Sequence, residues 1–231
     1  MASMGSEESS CIMKYLKVFG KFLAIFLVAY VLMMLPQTGI GRKYADFYCA
    51  VGNKLFHNFG DGGFVLLKRE KAVQDINIFI SNTSKIKDGK LEGRNFHQDS
   101  GLVGFFYTAL LIALILATPL GWKRKIIALI IGFILITAFA MLKLYITLYY
   151  YFSISPWLGL FQEEATKESI NFWTNYIARQ MTAGYTLVVI IWLAVSIGKK
   201  EWKKLNGIFS EIKASNRPGT KKIQTSKKGR K

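Results

Sequence analysis

The chain has 231 residues, of which 52% are hydrophobic and 19% charged, and its 31 Lys+Arg against 14 Asp+Glu give a formal net charge of +17. An ordinary soluble domain is about 45–50% apolar and about 25% charged, so this chain is slightly rich in apolar residues and poor in charge. The two are also segregated, into apolar blocks and basic blocks. Apolar runs of ~18 or more residues imply membrane spans, because roughly 20 are needed to cross a ~30 Å hydrocarbon core. That excludes a soluble enzyme and a disordered basic protein, and it makes nucleic acid a poor explanation of the charge.

Residues 1–13 read as a leader, expected to be disordered. Met1–Cys11 is polar and suggests a cloning remnant or an upstream start, with Met13-Lys14-Tyr15 as the initiator region. The first span is placed at 14–36. Its apolar stretch, Val18–Leu35, ends at Pro36-Gln37-Thr38-Gly39, and Lys14, Lys17 and Lys21 precede or open it. A long run without an Ala-x-Ala cleavage site reads as an uncleaved anchor rather than a signal peptide.

Residues 37–100 read as an extracytoplasmic α+β unit. Phe47, Tyr48, Val51, Leu55 and Phe59 fall at helical spacing, which predicts an amphipathic helix over Tyr44–Phe59. Gly60-Asp61-Gly62-Gly63 breaks it. A strand follows at Phe64–Lys68, and another at Asp75–Asn82, where Ile76, Ile78 and Ile80 alternate with Asp75, Asn77 and Phe79. Asp88-Gly89 is a hairpin-type turn into Lys90–Phe96. About 60 residues are marginal for a free-standing core, so the unit is expected to lean on the membrane helices.

Further spans are placed at 101–120, 126–152 and 176–197, making with the first an all-α polytopic membrane protein of four transmembrane helices, with the α+β unit inserted between the first and second. Gly121-Trp122-Lys123-Arg124-Lys125 is a tight basic turn, and the tail, 199–231, carries 12 Lys+Arg against 2 Glu. Under the positive-inside rule both are cytoplasmic, as are the lysines ahead of the first span. Both termini are therefore expected inside, in the inner (plasma) membrane of a bacterium. The tail beyond Asn206 should be disordered. Its Lys221-Lys222 and Lys227–Lys231 clusters should attract anionic lipid headgroups at on the order of 1 kcal/mol per charge. The aromatic cluster Tyr145, Tyr149, Tyr150, Tyr151 and Phe152, with Trp122 at the other end of the same span, reads as interfacial belts.

Two cysteines, Cys11 and Cys49, make no disulfide framework, and no Cys/His spacing suits zinc, so no metal or cofactor is expected. Cys49 and His57 are eight residues apart on one helix, about 12 Å by helical rise, too far for a nucleophile–base pair. His97 reads as a solvated loop residue. Glu163, Glu164 and Glu168 read as a solvated acidic helix end in preference to a cation site. Asn82-Thr83-Ser84 fits a glycosylation sequon but reads as a turn.

Polar groups in or at the ends of spans are costly and mark candidate sites. Asp99 and Ser100 sit at the start of the second span, and Lys143 lies about 27 Å up the third by helical rise. Arg179 and Gln180 open the fourth. All map to one depth, at the extracytoplasmic face, although a cation such as Lys143 or Arg179 can also simply snorkel.

Asp99-Ser100-Gly101-Leu102 at the start of a span resembles the Cys-Ser-Gly-Leu segment of the exosortases and archaeosortases. These are membrane-embedded cysteine transpeptidases that process proteins bearing a C-terminal sorting signal. The basic turn Lys123-Arg124-Lys125 matches theirs in position. Lys143, in Phe139-Ala140-Met141-Leu142-Lys143-Leu144, stands where the family carries an essential Arg. Gln180, four residues before Gly184, stands where it carries a His. The resemblance covers about Asp99–Ile197 and implies a degenerate core: without thiolate and imidazole the thioester route is closed, and Lys in place of Arg loses bidentate carboxylate recognition. A substitute nucleophile, Ser100 with Lys143 as base, would require a desolvated, neutral lysine. The resemblance therefore implies a non-catalytic or altered relative connected with surface-protein sorting. The alternative is a structural or accessory subunit of a larger envelope complex, docking a protein partner through residues 37–100.

Overall fold

The computed structural model describes residues 4–70, 75–87, 90–155, 158, 160, 164–178 and 180–196. It is mostly helical, with one small antiparallel sheet. The tail, 199–231, and Arg179 lie outside the described residues.

Helix α1 (Met4–Met34) runs through most of the segment expected as a disordered leader. It ends at Leu35, whose extended backbone (φ −63°, ψ 124°) is what a residue before proline adopts. After one 3-10 turn (Pro36–Thr38), Gly39 takes φ 66°, a left-handed conformation that reverses the chain into α2 (Ile40–Phe56). The expected helix thus begins and ends a few residues earlier than its apolar spacing alone indicates.

Strands β1 (Asn58–Phe59), β2 (Gly63–Arg69), β3 (Asp75–Lys87) and β4 (Lys90–Asp99) pair antiparallel in chain order. Leu67 lies opposite Ile78, and Ile78 opposite Phe96. The third strand passes straight through Asn82, where a turn was expected. The turn chemistry of Asn82-Thr83-Ser84 is spent instead on a register shift between Ser81 and Ile86, which bends a strand without ending it. The Asp88-Gly89 turn lies outside the described residues.

Alternation gives the sheet two faces. Val65, Leu67, Ile76, Ile78, Ile80 and Phe96 point inward and are buried, while Leu66, Lys68, Asn77 and Phe79 point to the other face. The inward face shares one core with Tyr44, Ala45 and Tyr48 of α2 and with Ala140, Leu144, Leu148 and Phe152 of helix α4 (Trp122–Ile154). The α+β unit therefore leans on the longest helix, as its small size requires. Asn53 pins α2 to β2: its side-chain amide donates to the Leu67 carbonyl (2.9 Å) and its carbonyl accepts from the Leu67 N–H (2.7 Å). Gly52 lets the two approach, since a Cβ there would stand 2.8 Å from a Leu67 methyl.

Among the described residues two helices are long and apolar enough to cross a membrane, Leu16–Met34 of α1 and all of α4. A third crossing is reached if Ser169–Ala178 and Met181–Ser196, bent by 62°, count as one span. These stretches comprise the end of α5 (Glu164–Trp173), a π-turn at Thr174–Ala178, and α6 (Met181–Ser196). The expected second span is shorter than 101–120. It is a π-turn (Gly101–Phe105) running into α3 (Phe106–Ala117), about 25 Å in all by helical rise. Leu23, Leu27 and Val31 of α1 and Ile127, Ile130 and Ile134 of α4 are exposed, a lipid-facing surface that associates the protein with a membrane. Tyr107, Leu111, Ile136, Val188 and Ile191 form a second core joining α3, α4 and α6. At its Trp122 end, Lys125 donates to the Leu116 carbonyl (2.7 Å) and Trp192 donates to the Thr118 hydroxyl (2.9 Å).

Candidate functional site

Both π-turns lie at the sheet end of the helices, one directly after Asp99-Ser100 and one directly before Arg179-Gln180. Single π-turns inside helices are rare and recur at functional sites. Between the two runs the face of α4 that carries Lys143, Thr147, Tyr150 and Tyr151, residues one and two helical turns apart.

Lys143 is 3% exposed. Its Nζ lies 5.5 Å from the centroid of the Tyr107 ring and 6.0 Å from that of Phe139. Among the described residues no carboxylate pairs with it; Arg69–Asp46 and His97–Glu70 are ion pairs elsewhere. Tyr107 is itself buried and donates to the Met181 carbonyl (3.3 Å). Its ring covers Gly184, where a Cβ would come within 2.3 Å of the ring carbon Cζ. A lysine from α4, a tyrosine from α3 and a glycine from α6 thus meet in one stack.

Asp99 ends β4, and its Oδ1 accepts the Gly101 N–H (2.7 Å), capping the first π-turn. Ser100 is fully buried. Gln180 is exposed. Of the family-like positions, Lys143 and the glycine after Gln180 are brought together through Tyr107. Asp99 serves the turn that positions α3.

Beside this stack is a cleft of about 170 Å³ between β4, α4 and the second π-turn. Its walls are Phe96, His97 and Gln98 from β4, Thr147, Tyr150 and Tyr151 from α4, and Thr174 and Ala178 from the turn. Phe96 and Tyr151 stack at 4.2 Å between centroids. Thr147 donates to the Lys143 carbonyl (2.8 Å) and Thr174 to the Ile170 carbonyl (2.7 Å). The buried Oε1 of Gln98 has no hydrogen-bond partner among the described residues. His97 is tied at the rim: its Nε2 is 2.9 Å from Glu70 Oε1, which also accepts from Asn77 (3.2 Å). His97 is exposed, as expected of a solvated histidine, but it lies on β4 and pairs with Glu70 where a loop was expected. A larger hollow, about 620 Å³, lies on the other sheet face, lined by Leu66, Lys68, Glu70 and Phe79 among others.

The remaining sequence candidates fall elsewhere. Cys49 is buried and His57 is exposed against Phe64, 4.8 Å between ring centroids, so they form no pair. Burial pushes the Cys49 thiol up to about 11, with Asp46 adding to the rise and Arg69 opposing it. The Asn82 side chain is buried, donating to the Leu158 carbonyl and accepting from the Ser84 N–H (2.9 Å), which is turn chemistry and leaves no room for a glycan. Glu163 and the side chains of Glu164 and Glu168 lie outside the described residues. No cluster of three or more His, Cys, Asp and Glu among the described residues could hold a metal ion. Tyr107, Gln98, Thr147 and Thr174 went unmarked in the sequence. The available signal was hydroxyl-bearing residues at helical spacing from Lys143 and in otherwise apolar helices.

Compared with known proteins, the chain matches no family model, no curated sequence and no solved structure.

Proposed function

We propose that this protein handles extracytoplasmic polypeptides at the surface of a bacterial inner membrane, as a diverged, non-catalytic relative of the exosortases. The observation that carries the reading is Lys143, a buried lysine that meets no carboxylate among the described residues, one helical turn before Thr147 in the wall of a polar cleft bordered by the second π-turn. Charges inside spans are retained for function because they cost stability. No thiol is among the described residues that line the cleft, so peptide-bond transfer through a thioester is not part of this reading; binding is. In the same reading α3 with its π-turn and α5–α6 with theirs complete a four-span topology. Both termini then lie in the cytoplasm, and the basic tail contacts anionic lipid.

The test is photocrosslinking in the native membrane with benzoylphenylalanine in place of Tyr150. A polypeptide adduct that disappears when Lys143→Met is added supports the reading; adducts to lipid alone overturn it. The accessory-subunit reading is favoured by the hollow on the far sheet face, lined by Leu66 and Phe79 with Lys68 and Arg69. It predicts instead that crosslinks form from Leu66 and not from Tyr150.

A further inference from the structure

The chemistry of the cleft identifies what kind of group enters it, and this step rests on the polypeptide-handling reading above. At about 170 Å³ the cleft is below the roughly 300–1,000 Å³ of drug-sized ligand sites, and suits the head of one side chain. Its polar lining is biased. The hydroxyl hydrogens of Thr147 and Thr174 are spent on helix carbonyls, which leaves their oxygens as acceptors toward the cleft. The buried Oε1 of Gln98 adds a third acceptor, with no partner among the described residues, and such a group costs about 1–3 kcal/mol until it is paired. A ligand that pairs these oxygens must therefore bring hydrogen-bond donors, while the Gln98 NH2 can donate in return.

Charge narrows the class. None of the cleft-lining residues is a carboxylate. An incoming ammonium or guanidinium would find no carboxylate in that lining, the nearby Glu70 being engaged with His97 at the rim. A carboxylate or phosphate could take the Gln98 NH2 but would leave the Gln98 Oε1 unpaired and face the two threonine lone pairs. A neutral group with two N–H donors on one atom fits best, namely a primary carboxamide. Its source is read from β4. This strand closes the order of the sheet, and Phe96 and Gln98 project from it into the cleft. An extended polypeptide laid along that strand would direct alternate side chains to the same side.

We propose that the cleft is a recognition subsite for an Asn or Gln side chain of an extended polypeptide, held by Gln98, Thr147 and Thr174.

The experiment uses the full chain in phosphatidylcholine nanodiscs and four dye-labelled heptapeptides identical except for Gln, Glu, Lys or Leu at the centre. They are capped as N-acetyl N-methylamides so that no terminus carries a primary amide. Fluorescence anisotropy is expected to show the Gln peptide binding at least tenfold more tightly than the other three, equivalent to 1.4 kcal/mol. Gln98→Leu and Thr147→Val should each reduce that preference below threefold, while Thr147→Ser, which keeps the hydroxyl, should retain it. Equal affinities, a preference for Glu or Lys, or a preference that survives Gln98→Leu each overturn the proposal. Absence of binding by all four overturns this inference alone if Tyr150 still crosslinks to polypeptide; loss of that crosslink removes the wider reading instead.

Discussion

Lys143 costs the folded protein free energy. Taking an ammonium out of water costs several kcal/mol even after relaxation, and two aromatic faces return about 0.5–2 kcal/mol. Replacing it with methionine, of similar length and no charge, should leave the thermal midpoint unchanged or raise it, while crosslinking at Tyr150 falls at least tenfold. Differential scanning fluorimetry in nanodiscs beside the crosslink yield checks both halves, and a midpoint lowered by several degrees would make the lysine structural. Gly184 shows the reverse case. A methyl there would overlap the Tyr107 ring, so Gly184→Ala should destabilise by about 1–3 kcal/mol, and Tyr107→Leu in the same chain should recover at least half of that loss. Cys49 gives a pH test in a Cys11→Ser background. The fold holds the neutral thiol, whose pKa is raised to about 11. Its contribution is therefore complete below the ordinary thiol range and is lost as pH climbs through about 11. Maleimide labelling of the native protein should be slow at pH 7 and accelerate toward pH 10, whereas the denatured chain labels readily at pH 7.

At the scale of elements, the join between α2 and β2 rests on Asn53. Asn53→Ala removes both hydrogen bonds to Leu67 and leaves a partly buried backbone N–H and C=O unpaired, at about 1–3 kcal/mol each. Hydrogen exchange should show β2 losing protection first, with α4 little changed; uniform loss across both would mean that the outer unit and the helices open together. Elements of this unit were legible wherever local periodicity decided them. The Ile76/Ile78/Ile80 alternation placed β3, and the aromatic spacing placed α2 to within a few residues. The sequence was less informative where a local preference competes with a tertiary one. Asn82-Thr83-Ser84 has turn chemistry, yet pairing with β4 on either side of it, at Ser81 and at Ile86, carries the strand through as an irregularity. Gly101–Phe105 is apolar enough for plain helix, but Asp99 caps a π-turn there. The cleft was the least legible part, because its acceptors lie on three separate elements and no spacing along the chain reveals a shared wall.

For the whole molecule, the distribution of charge matters more than its sum. The tail carries net +10 and the Trp122-end turn three adjacent cations, whereas Gln37–Ser100 holds ten basic and seven acidic residues in a longer stretch. If cytoplasmic retention of Lys and Arg sets the orientation, the sheet end of α4 faces outward and the Trp122 end inward. A helix of 33 residues, about 50 Å by helical rise, outruns a ~30 Å core and can carry both the basic turn and the β-sheet clear of it. Single cysteines placed in a Cys11→Ser, Cys49→Ser chain test this. With a membrane-impermeant maleimide on intact bacterial spheroplasts, Ser84→Cys, at an exposed position on β3, should label directly. Lys123→Cys should label only after permeabilisation. The reverse pattern would invert the orientation, and labelling of both from outside would mean that α4 does not cross. Neutralising Lys123, Arg124 and Lys125 together should leave the pattern intact, because the tail and the lysines ahead of the first apolar stretch give the same instruction independently.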